Sequence, residues 1–271
     1  MRRTLDSEFF SLAPPRIFAH RGDGGEFPEN TMPSFEAAAA LGAEYFELDV
    51  HLTRDAEVVV SHDGDLARTC GSAGAIAAMT LAEVQSADAG YTFSSDGGAT
   101  FPFRDRGIRI PRLADLLGAF SNVRFNIDPK QTAPSVIPAL LDVIDRTGMR
   151  RRVLVASENQ PPIDEIRALA PGIPTNFPYA EVGEFMQAMA AKQTSYTPRG
   201  DALQIPPEYE GWKLVTPESV AFAQAVGVEI HVWTVNDAAE MTALLDLGVA
   251  GIMTDFPARG LALARSRSSA R

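Results

Sequence analysis

Two carboxylates alternate with apolar residues in the short run YFELDV at residues 45–50. Successive side chains of a β-strand point to opposite faces, so Glu47 and Asp49 share one face and the apolar side chains share the other. If the apolar face packs against helices, both carboxylates point into the interior of the sheet. Two like charges this close are stabilised by a cation between them. The pattern therefore favours a metal site, with an ion pair to a neighbouring Arg or Lys as the alternative.

The run VRFNID at residues 123–128 repeats this alternation. Asn126 and Asp128, followed by Lys130, lie on the face opposite the apolar residues. A third carboxylate and a lysine at the same end of the sheet strengthen the prediction of a functional site. Asp128 is followed by Pro129, however, and on its own an Asp-Pro pair is more typical of the start of a turn.

Two histidines lie at the ends of β-like runs. His20 ends the first run, residues 17–20, and is followed by Arg21, while His62 ends the run at residues 57–62. Histidine changes its charge near neutral pH, so both are candidates for proton transfer, but a single histidine is more often structural. By residue type alone, the two therefore stay candidates.

Two further histidines and a tryptophan accompany these residues. His51 and His231 are predicted to flank the same edge of the sheet as packing or supporting groups. Trp233 lies on the same face of its strand as His231 and is predicted to form part of the wall of a pocket.

β-like runs alternate with helical patterns along the chain, which is typical of strands and crossover helices around a parallel sheet. The number of predicted strands is that of a TIM (β/α)8 barrel, an α/β fold whose active sites lie at the carboxyl ends of the strands. The run at 57–62 follows the second strand too closely for a parallel crossover and is predicted to return as an antiparallel hairpin. The predicted barrel strands are residues 17–20, 45–50, 123–128, 153–157, 173–176, 202–205, 229–234 and 251–254.

Residues 1–271 are predicted to form one barrel domain. The apolar residues of the stretch at about 63–112 could not support a separate core, so this stretch is predicted to be an insertion on the barrel. Thr31 is a candidate N-cap of the first helix. The basic tail, residues 264–271, is predicted to be disordered.

Composition restricts the class of function. The 271 residues carry 24 Lys and Arg against 35 Asp and Glu, a net charge of −11, which is unlike the basic surface of a nucleic-acid or anionic-membrane binder. The single cysteine, Cys70, excludes an internal disulfide and a thiolate-bound metal cluster. We expect a cytoplasmic location, because no apolar run could span a membrane and no signal peptide is apparent. Motifs of P-loop hydrolases, dinucleotide-dependent oxidoreductases, zinc proteases and serine hydrolases are absent.

Seven short motifs run in the same order as in the glycerophosphodiester phosphodiesterase family, which the sequence resembles. That family has a TIM-barrel fold and an insertion after its His-Asp motif, the place taken here by residues 63–112. The motifs are AHRG at 19–22, PENT at 28–31, ELDV at 47–50 followed by LT at 52–53, VVVSHD at 58–63, FNIDPK at 125–130, HVWTVN at 231–236 and GIMTDFP at 251–257.

The resemblance implies hydrolysis of small-molecule glycerophosphodiesters to sn-glycerol 3-phosphate and an alcohol such as choline or ethanolamine. It implies that His20 and His62 are an acid/base pair and that Arg21 and Lys130 hold the phosphate. It also implies that the substrate's own hydroxyl attacks first and forms a cyclic phosphate that water then opens. Trp233, as a wall of the pocket, is expected to contact the substrate.

The resemblance further implies that Glu47, Asp49 and Asp128 bind a divalent cation. Many members carry a glutamate where this chain has Asp128. Hard carboxylate oxygens suit Mg²⁺ or Ca²⁺ rather than a soft metal. The sequence does not choose between these two cations.

Two alternative functions stay open. One is a lysophospholipid or sphingolipid phosphodiesterase of the phospholipase D type, for which the insertion offers four aromatic residues, although these are better explained as anchors of the insertion. The other is a non-catalytic barrel that binds a phosphate ligand, and the presence of both histidines and all three carboxylates argues against it. The four aromatic residues are Tyr91, Phe93, Phe101 and Phe103.

Overall fold

Parallel strands form the centre of the molecule in a computed structural model that describes residues 7–269. Seven of them pair side by side in the order β5-β4-β2-β1-β10-β9-β6. Two parallel bridges, Val155 with Thr175 and Asn176 with Ala202, join β5 to β6 through an eighth position and close the sheet into a barrel. The strands are β1 (Arg16–His20), β2 (Tyr45–Leu52), β3 (Val58–Val60), β4 (Arg124–Pro129), β5 (Val153–Val155), β6 (Ala202–Ile205), β7 (Glu208–Tyr209), β8 (Trp212–Lys213), β9 (Glu229–Val232) and β10 (Gly251–Thr254).

A helix follows each of the barrel positions, so the architecture is that of a TIM (β/α)8 barrel. Two further short helices, α2 (Ala67–Cys70) and α3 (Leu81–Val84), lie between β3 and the helix α4 (Leu113–Ala119). The helices are α1 (Met32–Ala40), α2 (Ala67–Cys70), α3 (Leu81–Val84), α4 (Leu113–Ala119), α5 (Ile137–Arg146), α6 (Gln160–Leu169), α7 (Tyr179–Ala190), α8 (Pro217–Val226), α9 (Ala238–Leu247) and α10 (Pro257–Ser269).

The outward faces of the strands build the hydrophobic core between sheet and helices. Phe46, Leu48 and Val50 of β2 are fully buried in one cluster with apolar residues of α1, α4 and α5. Their alternation with Glu47 and Asp49 leaves both carboxylates on the inside of the barrel. Core formation in this strand therefore determines the direction of the polar side chains.

The hairpin and the insertion agree with the sequence. β3 pairs antiparallel with β2, as the short spacing predicted. The stretch after it packs Leu66, Ile76 and Ile108 into a small cluster that includes Val59 of β3. The insertion thus shares its apolar contacts with the barrel edge.

The structure adds to or differs from the sequence predictions at three places. Residues 264–269 of the tail are helical, as the last part of α10, and residues 270–271 lie outside the described residues. Thr31 is the N-cap residue of α1, as predicted, but its hydroxyl does not accept from the first turn and instead donates to the carbonyl of Pro28 at 2.6 Å. The two-stranded hairpin β7–β8 was not predicted, because its strands have only two residues each. Among the helices of residues 7–269, none combines the length and the apolar character needed to cross a membrane.

Candidate active site

A cavity of about 810 Å³ opens at the carboxyl ends of the barrel strands. Its size is within the range of small-molecule binding sites. One side carries ionisable residues at the ends of β1, β2, β3 and β4, and the other side is largely apolar. All the site residues that the sequence predicted line this cavity: His20, Arg21, Glu47, Asp49, His62, Asp128, Lys130 and the wall residue Trp233. Glu158 and Glu208, which the sequence did not single out, line it as well.

His20, at the end of β1, is held by a carboxylate from the other end of the chain. Its Nδ1 lies 2.6 Å from Oδ1 of Asp255, and Oδ2 of Asp255 accepts a hydrogen bond of 2.7 Å from Asn236. Its Nε2 lies 3.7 Å from Glu47. Burial alone would lower the pKa of His20, but Glu47 and the hydrogen bond to Asp255 outweigh it, and the pKa is raised.

His62 is arranged in the same way. Its Nδ1 lies 2.7 Å from Oδ1 of the neighbouring Asp63, whose other oxygen accepts from Arg68 at 2.5 Å. Arg68 in turn contacts Glu29. Both histidines thus have Nδ1 paired with an aspartate, which leaves Nε2 for exchange of a proton with a ligand.

The three carboxylates lie on two neighbouring strands. β2 and β4 pair in parallel with Asp49 opposite Asp128, so Glu47, Asp49 and Asp128 stand side by side inside the barrel. Burial, followed by the charge of Asp49, raises the pKa of Glu47. Burial also raises the pKa of Asp128, despite the proximity of Lys130. Burial thus disfavours the ionised forms of Glu47 and Asp128, which a cation bound beside them would favour.

Two basic residues contact these carboxylates directly. Lys130 Nζ lies 2.7 Å from Asp128 and 3.2 Å from Asp49. Arg21 Nε lies 3.2 Å from Asp49, and its terminal nitrogen bonds Glu29 at 3.0 Å. Burial would raise the pKa of Asp49, but Lys130 and Arg21 outweigh it and hold that pKa below its ordinary value. The contacts observed are thus the ion pairs that the sequence left as the alternative to a metal.

The donor set nevertheless has the chemistry of a hard-cation site. Glu47, Asp49 and Asp128 offer carboxylate oxygens, and Oδ1 of Asn30 beside Asp49 is buried without a hydrogen-bond partner. Oxygen donors of this kind suit Mg²⁺ or Ca²⁺. Within the described chain, however, no three His, Cys, Asp or Glu side chains lie together as a complete metal-binding group. The residue types fit a divalent cation, while the side-chain positions are those of the ion pairs.

The other residues that the sequence named have different positions. Trp233 lines the cavity. His51 lies near the rim, with Nε2 at 3.1 Å from the backbone oxygen of His62. His231 is not at the rim: it is fully buried lower in the barrel and contacts Glu229 at 3.0 Å. Its strand position opposite Gly251 places it well below the end of β10.

Sequence reasoning missed the groups that orient the histidines. Asp255 and Asn236 lie in motifs that the sequence did reveal, but 235 residues separate Asp255 from His20 and no local pattern links them. Asp63 directly follows His62, so adjacency was the available signal. Asn30 was likewise within a recognised motif without an assigned role.

The four aromatic residues of the insertion form contacts among themselves and with their neighbours. Phe103 packs against Phe93 and Phe27 with ring centroids 5.3 and 5.4 Å away, and Arg104 stacks on Tyr91 and Phe101. Over the residues described, none of the four lines the cavity. The apolar side of the cavity comes instead from β6, α7 and the segments that flank them: Phe177, Tyr179, Val182, Met186, Ile205, Tyr209 and Leu214.

Comparison with known proteins gives consistent matches over nearly the whole chain. The sequence model of the glycerophosphoryl diester phosphodiesterase family matches residues 20–259. A glycerophosphodiester phosphodiesterase of Bacillus altitudinis is 32% identical over 91% of this chain and 96% of its own, and one of Caldanaerobacter subterraneus subsp. tengcongensis is 31% identical over 89% and 94%. In fold, the chain is similar to an Oleispira antarctica phosphodiesterase solved in complex with its product sn-glycerol 3-phosphate, with a TM-score of 0.77, 24% identity and coverage of 93% and 97%.

Proposed function

The chain belongs to the glycerophosphoryl diester phosphodiesterase family, and we propose that it hydrolyses glycerophosphodiesters to sn-glycerol 3-phosphate and an alcohol. It is an enzyme of the phosphodiester hydrolase class, as are the curated relatives that it matches over most of their length. The observation that carries the proposal is the pairing of His20 with Asp255 and of His62 with Asp63 on one cavity. Two oriented histidines supply what a displacement at phosphorus needs, a proton acceptor and a proton donor.

Arg21 and Lys130 are the groups proposed to bind the phosphate. Both line the cavity and both are held in place by Asp49. A guanidinium presents a planar fork to phosphate oxygens, while an ammonium acts as a compact charge. Their contacts with acids in the free enzyme keep them oriented until an anion enters.

Charge balance supports a divalent cation at Glu47, Asp49 and Asp128. Five acids, these three with Glu158 and Glu208, line the cavity together with two basic residues, Arg21 and Lys130, and a phosphodiester would bring a further negative charge. We propose that these carboxylates, with Asn30 beside them, hold Mg²⁺ or Ca²⁺. When bound, such a cation polarises a phosphoryl oxygen and stabilises the charge that develops there.

The proton transfers are assigned to the Nε2 atoms of His20 and His62. One histidine takes the proton of the attacking hydroxyl, and the other protonates the departing alcohol oxygen. The attacking group proposed is the substrate's own glycerol hydroxyl, which is tethered next to phosphorus and so has a high effective concentration. This step releases the alcohol and leaves a cyclic phosphate. Water then opens the ring: the second histidine takes the proton of the water, and the first protonates the departing glycerol oxygen to give sn-glycerol 3-phosphate. Asp255 and Asp63 keep the rings in orientation throughout.

The direct test is turnover of glycerophosphocholine by the purified protein, with release of sn-glycerol 3-phosphate and choline measured separately. We expect turnover with Mg²⁺ or Ca²⁺, loss of activity with a chelator, and recovery when the cation is restored. The His20→Ala variant is the matched negative control. Binding of sn-glycerol 3-phosphate without any turnover would instead support the non-catalytic phosphate-binding barrel.

A second candidate, hydrolysis of lysophospholipids, is favoured by the apolar side of the cavity. Its wall runs out to the exposed rings of Tyr179 and Tyr209, which are 53% and 49% exposed, and Trp212 nearby is 76% exposed. A single acyl chain could lie along such a wall. Equal molar concentrations of lysophosphatidylcholine and glycerophosphocholine, each below the micellar range, separate the candidates by their kcat/KM ratio. The Trp212→Ala variant should lower only the rate on the lipid.

A further inference from the structure

A continuous series of hydrogen bonds crosses the interior of the barrel below the cavity. It begins at Arg16, which is 2% exposed and bonds both carboxylate oxygens of Glu229 at 2.8 and 2.7 Å. Glu229 then contacts Nε2 of His231 at 3.0 Å. From His231 the series continues through Gln204 to Asn126 on the cavity floor. The series links the opposite end of the barrel to the candidate site.

The donor in each of these bonds follows from its chemistry. Glu229, paired with Arg16, is an acceptor, so Nε2 of His231 carries the hydrogen that it receives. Nδ1 of a neutral His231 is then an acceptor, and Nε2 of Gln204 donates to it at 3.3 Å. The same Gln204 nitrogen donates to Oδ1 of Asn126 at 2.8 Å. If Gln204 presented its oxygen to Nδ1 of His231 instead, that nitrogen would have to carry a hydrogen as well as Nε2, and the ring would be doubly protonated. This charged form is disfavoured because complete burial lowers the pKa of His231.

This order leaves the Nδ2 group of Asn126 facing the cavity. Asn126 lines the cavity and is only 2% exposed. Among the described residues, the buried polar atoms without a partner are Arg21 Nε and Asn30 Oδ1, so Nδ2 of Asn126 is not sealed inside the protein. No side chain or backbone group of the described chain accepts a hydrogen bond from it. A fixed donor therefore points into the open space beside Glu47, its register partner on β2.

We propose that Asn126 binds the substrate, its Nδ2 donating to an oxygen of the glycerophosphate portion, and that Gln204 and His231 are positioning residues for this amide. The inference rests on the proposed function, because it takes the substrate from there. Asn126 lies two residues before Asp128 on β4 and beside Glu47, which is 3.7 Å from Nε2 of His20. A neutral donor suits this place, since the adjacent carboxylates can only accept when ionised.

The experiment is calorimetric titration of the cation-loaded protein with sn-glycerol 3-phosphate and, separately, with inorganic phosphate. Asn126→Leu removes the donor at similar size, and Asn126→Asp keeps the shape but presents an acceptor. A hydrogen bond to a charged group corresponds to roughly 10- to 100-fold in affinity. We expect sn-glycerol 3-phosphate to bind about that much more weakly to both variants.

Asn176 supplies the matched control. It lines the same cavity, but its Oδ1 accepts from the Ser157 amide at 3.0 Å and its Nδ2 donates to the Ser157 carbonyl at 3.1 Å. Asn176→Ala should therefore bind both ligands like the wild type. Thermal unfolding of each variant shows whether it is folded at the temperature of the titration.

The positioning role of Gln204 is tested by a double-mutant cycle. In the otherwise wild-type protein, Gln204→Leu should weaken the binding of sn-glycerol 3-phosphate about 2- to 10-fold, because the Asn126 amide loses the hydrogen bond that fixes it. The same substitution should have no effect in the Asn126→Leu background, since nothing is left to position. An equal loss in both backgrounds would overturn the positioning role.

The outcomes are distinct from those of the proposed function. Weaker binding of both ligands supports a contact with a phosphoryl oxygen, and weaker binding of sn-glycerol 3-phosphate alone supports a contact with a glycerol hydroxyl. Wild-type affinity in both Asn126 variants, an equal loss in Asn176→Ala, or no binding to the wild type overturns the inference. A wild type that binds sn-glycerol 3-phosphate but turns over no diester overturns the proposed function alone.

Discussion

Replacement of Asp255 by Asn should inactivate His20 while leaving its ring in place. Asn236 determines how the new amide would lie. Oδ1 of Asn236 accepts from the backbone amide of residue 255 at 2.9 Å and from Thr254 at 3.1 Å, so its Nδ2 must donate to the residue 255 side chain. In Asp255→Asn, the oxygen then accepts from Asn236 and the new NH₂ group faces Nδ1 of His20.

The consequence is a change of tautomer. With a donor opposite Nδ1, His20 carries its hydrogen on Nε2 and cannot take a proton from the cavity side. Loss of the Asp255 charge also removes one of the groups that raise the pKa of His20. General acid or base catalysis by one group contributes roughly 10²- to 10⁴-fold. We therefore expect kcat for glycerophosphocholine to fall by at least about 10²-fold, equal to about 2.7 kcal/mol of activation free energy.

The assay is steady-state hydrolysis of glycerophosphocholine with saturating cation, accompanied by titration with sn-glycerol 3-phosphate. Affinity for this product should change little, because Asp255 acts on proton transfer rather than on phosphate binding. Asp142→Asn is the control, since Asp142 is an exposed aspartate on α5 that pairs with Arg146. A kcat for Asp255→Asn within about threefold of the wild type would refute the tautomer argument, as would an equal loss in Asp142→Asn.

Four further predictions concern the same site and its support. His20→Ala and His62→Ala should each lower turnover at least about 10²-fold, and the double variant should lose less than the product of the two, since both act in one proton-transfer sequence; measured kcat values decide this. Glu47→Gln and Asp49→Asn should lose cation binding and activity together, and normal cation stoichiometry by calorimetry in both variants would contradict the ligand assignment. Arg21→Ala and Lys130→Ala should weaken phosphodiester turnover with the cation still bound, and Lys130→Arg should rescue only in part because a planar fork differs from a compact charge; loss of the cation in Lys130→Ala would show that the lysine mainly balances the carboxylates. Glu229→Gln should lower the free energy of unfolding at pH 7 by about 3 kcal/mol. Burial would raise the pKa of Glu229, but its hydrogen bonds with His231 and Arg16 outweigh burial and lower this pKa to about 2. A group with a lowered pKa stabilises the fold above its unfolded value near 4.5, so in urea titrations the difference from the wild type should shrink as the pH falls from about 4.5 toward 2; a difference that stays constant over this interval would contradict the linkage.

The sequence was sufficient for the barrel and for the direction of its polar side chains. Alternation of apolar and polar residues in β2 and β4 is a local property, because neighbouring side chains of a strand must point to opposite faces. Burying Phe46 and Leu48 against helices therefore places Glu47 and Asp49 inside, before any other contact is known. The short distance between β2 and β3 likewise allowed only an antiparallel return, which the structure confirms.

Only the closed barrel decided which groups act together. His20 and Asp255 are 235 residues apart and meet because β1 pairs directly with β10. Asn126 accepts a hydrogen bond from Gln204 on β6, which in turn contacts His231 on β9, across the interior of the barrel. Hydrogen bonds between strand ends depend on how the sheet closes and on its register, and neither is encoded within a window of a few residues. Residue types and spacing thus determined what chemistry was available, and tertiary contacts determined the orientation and protonation in which those residues present it.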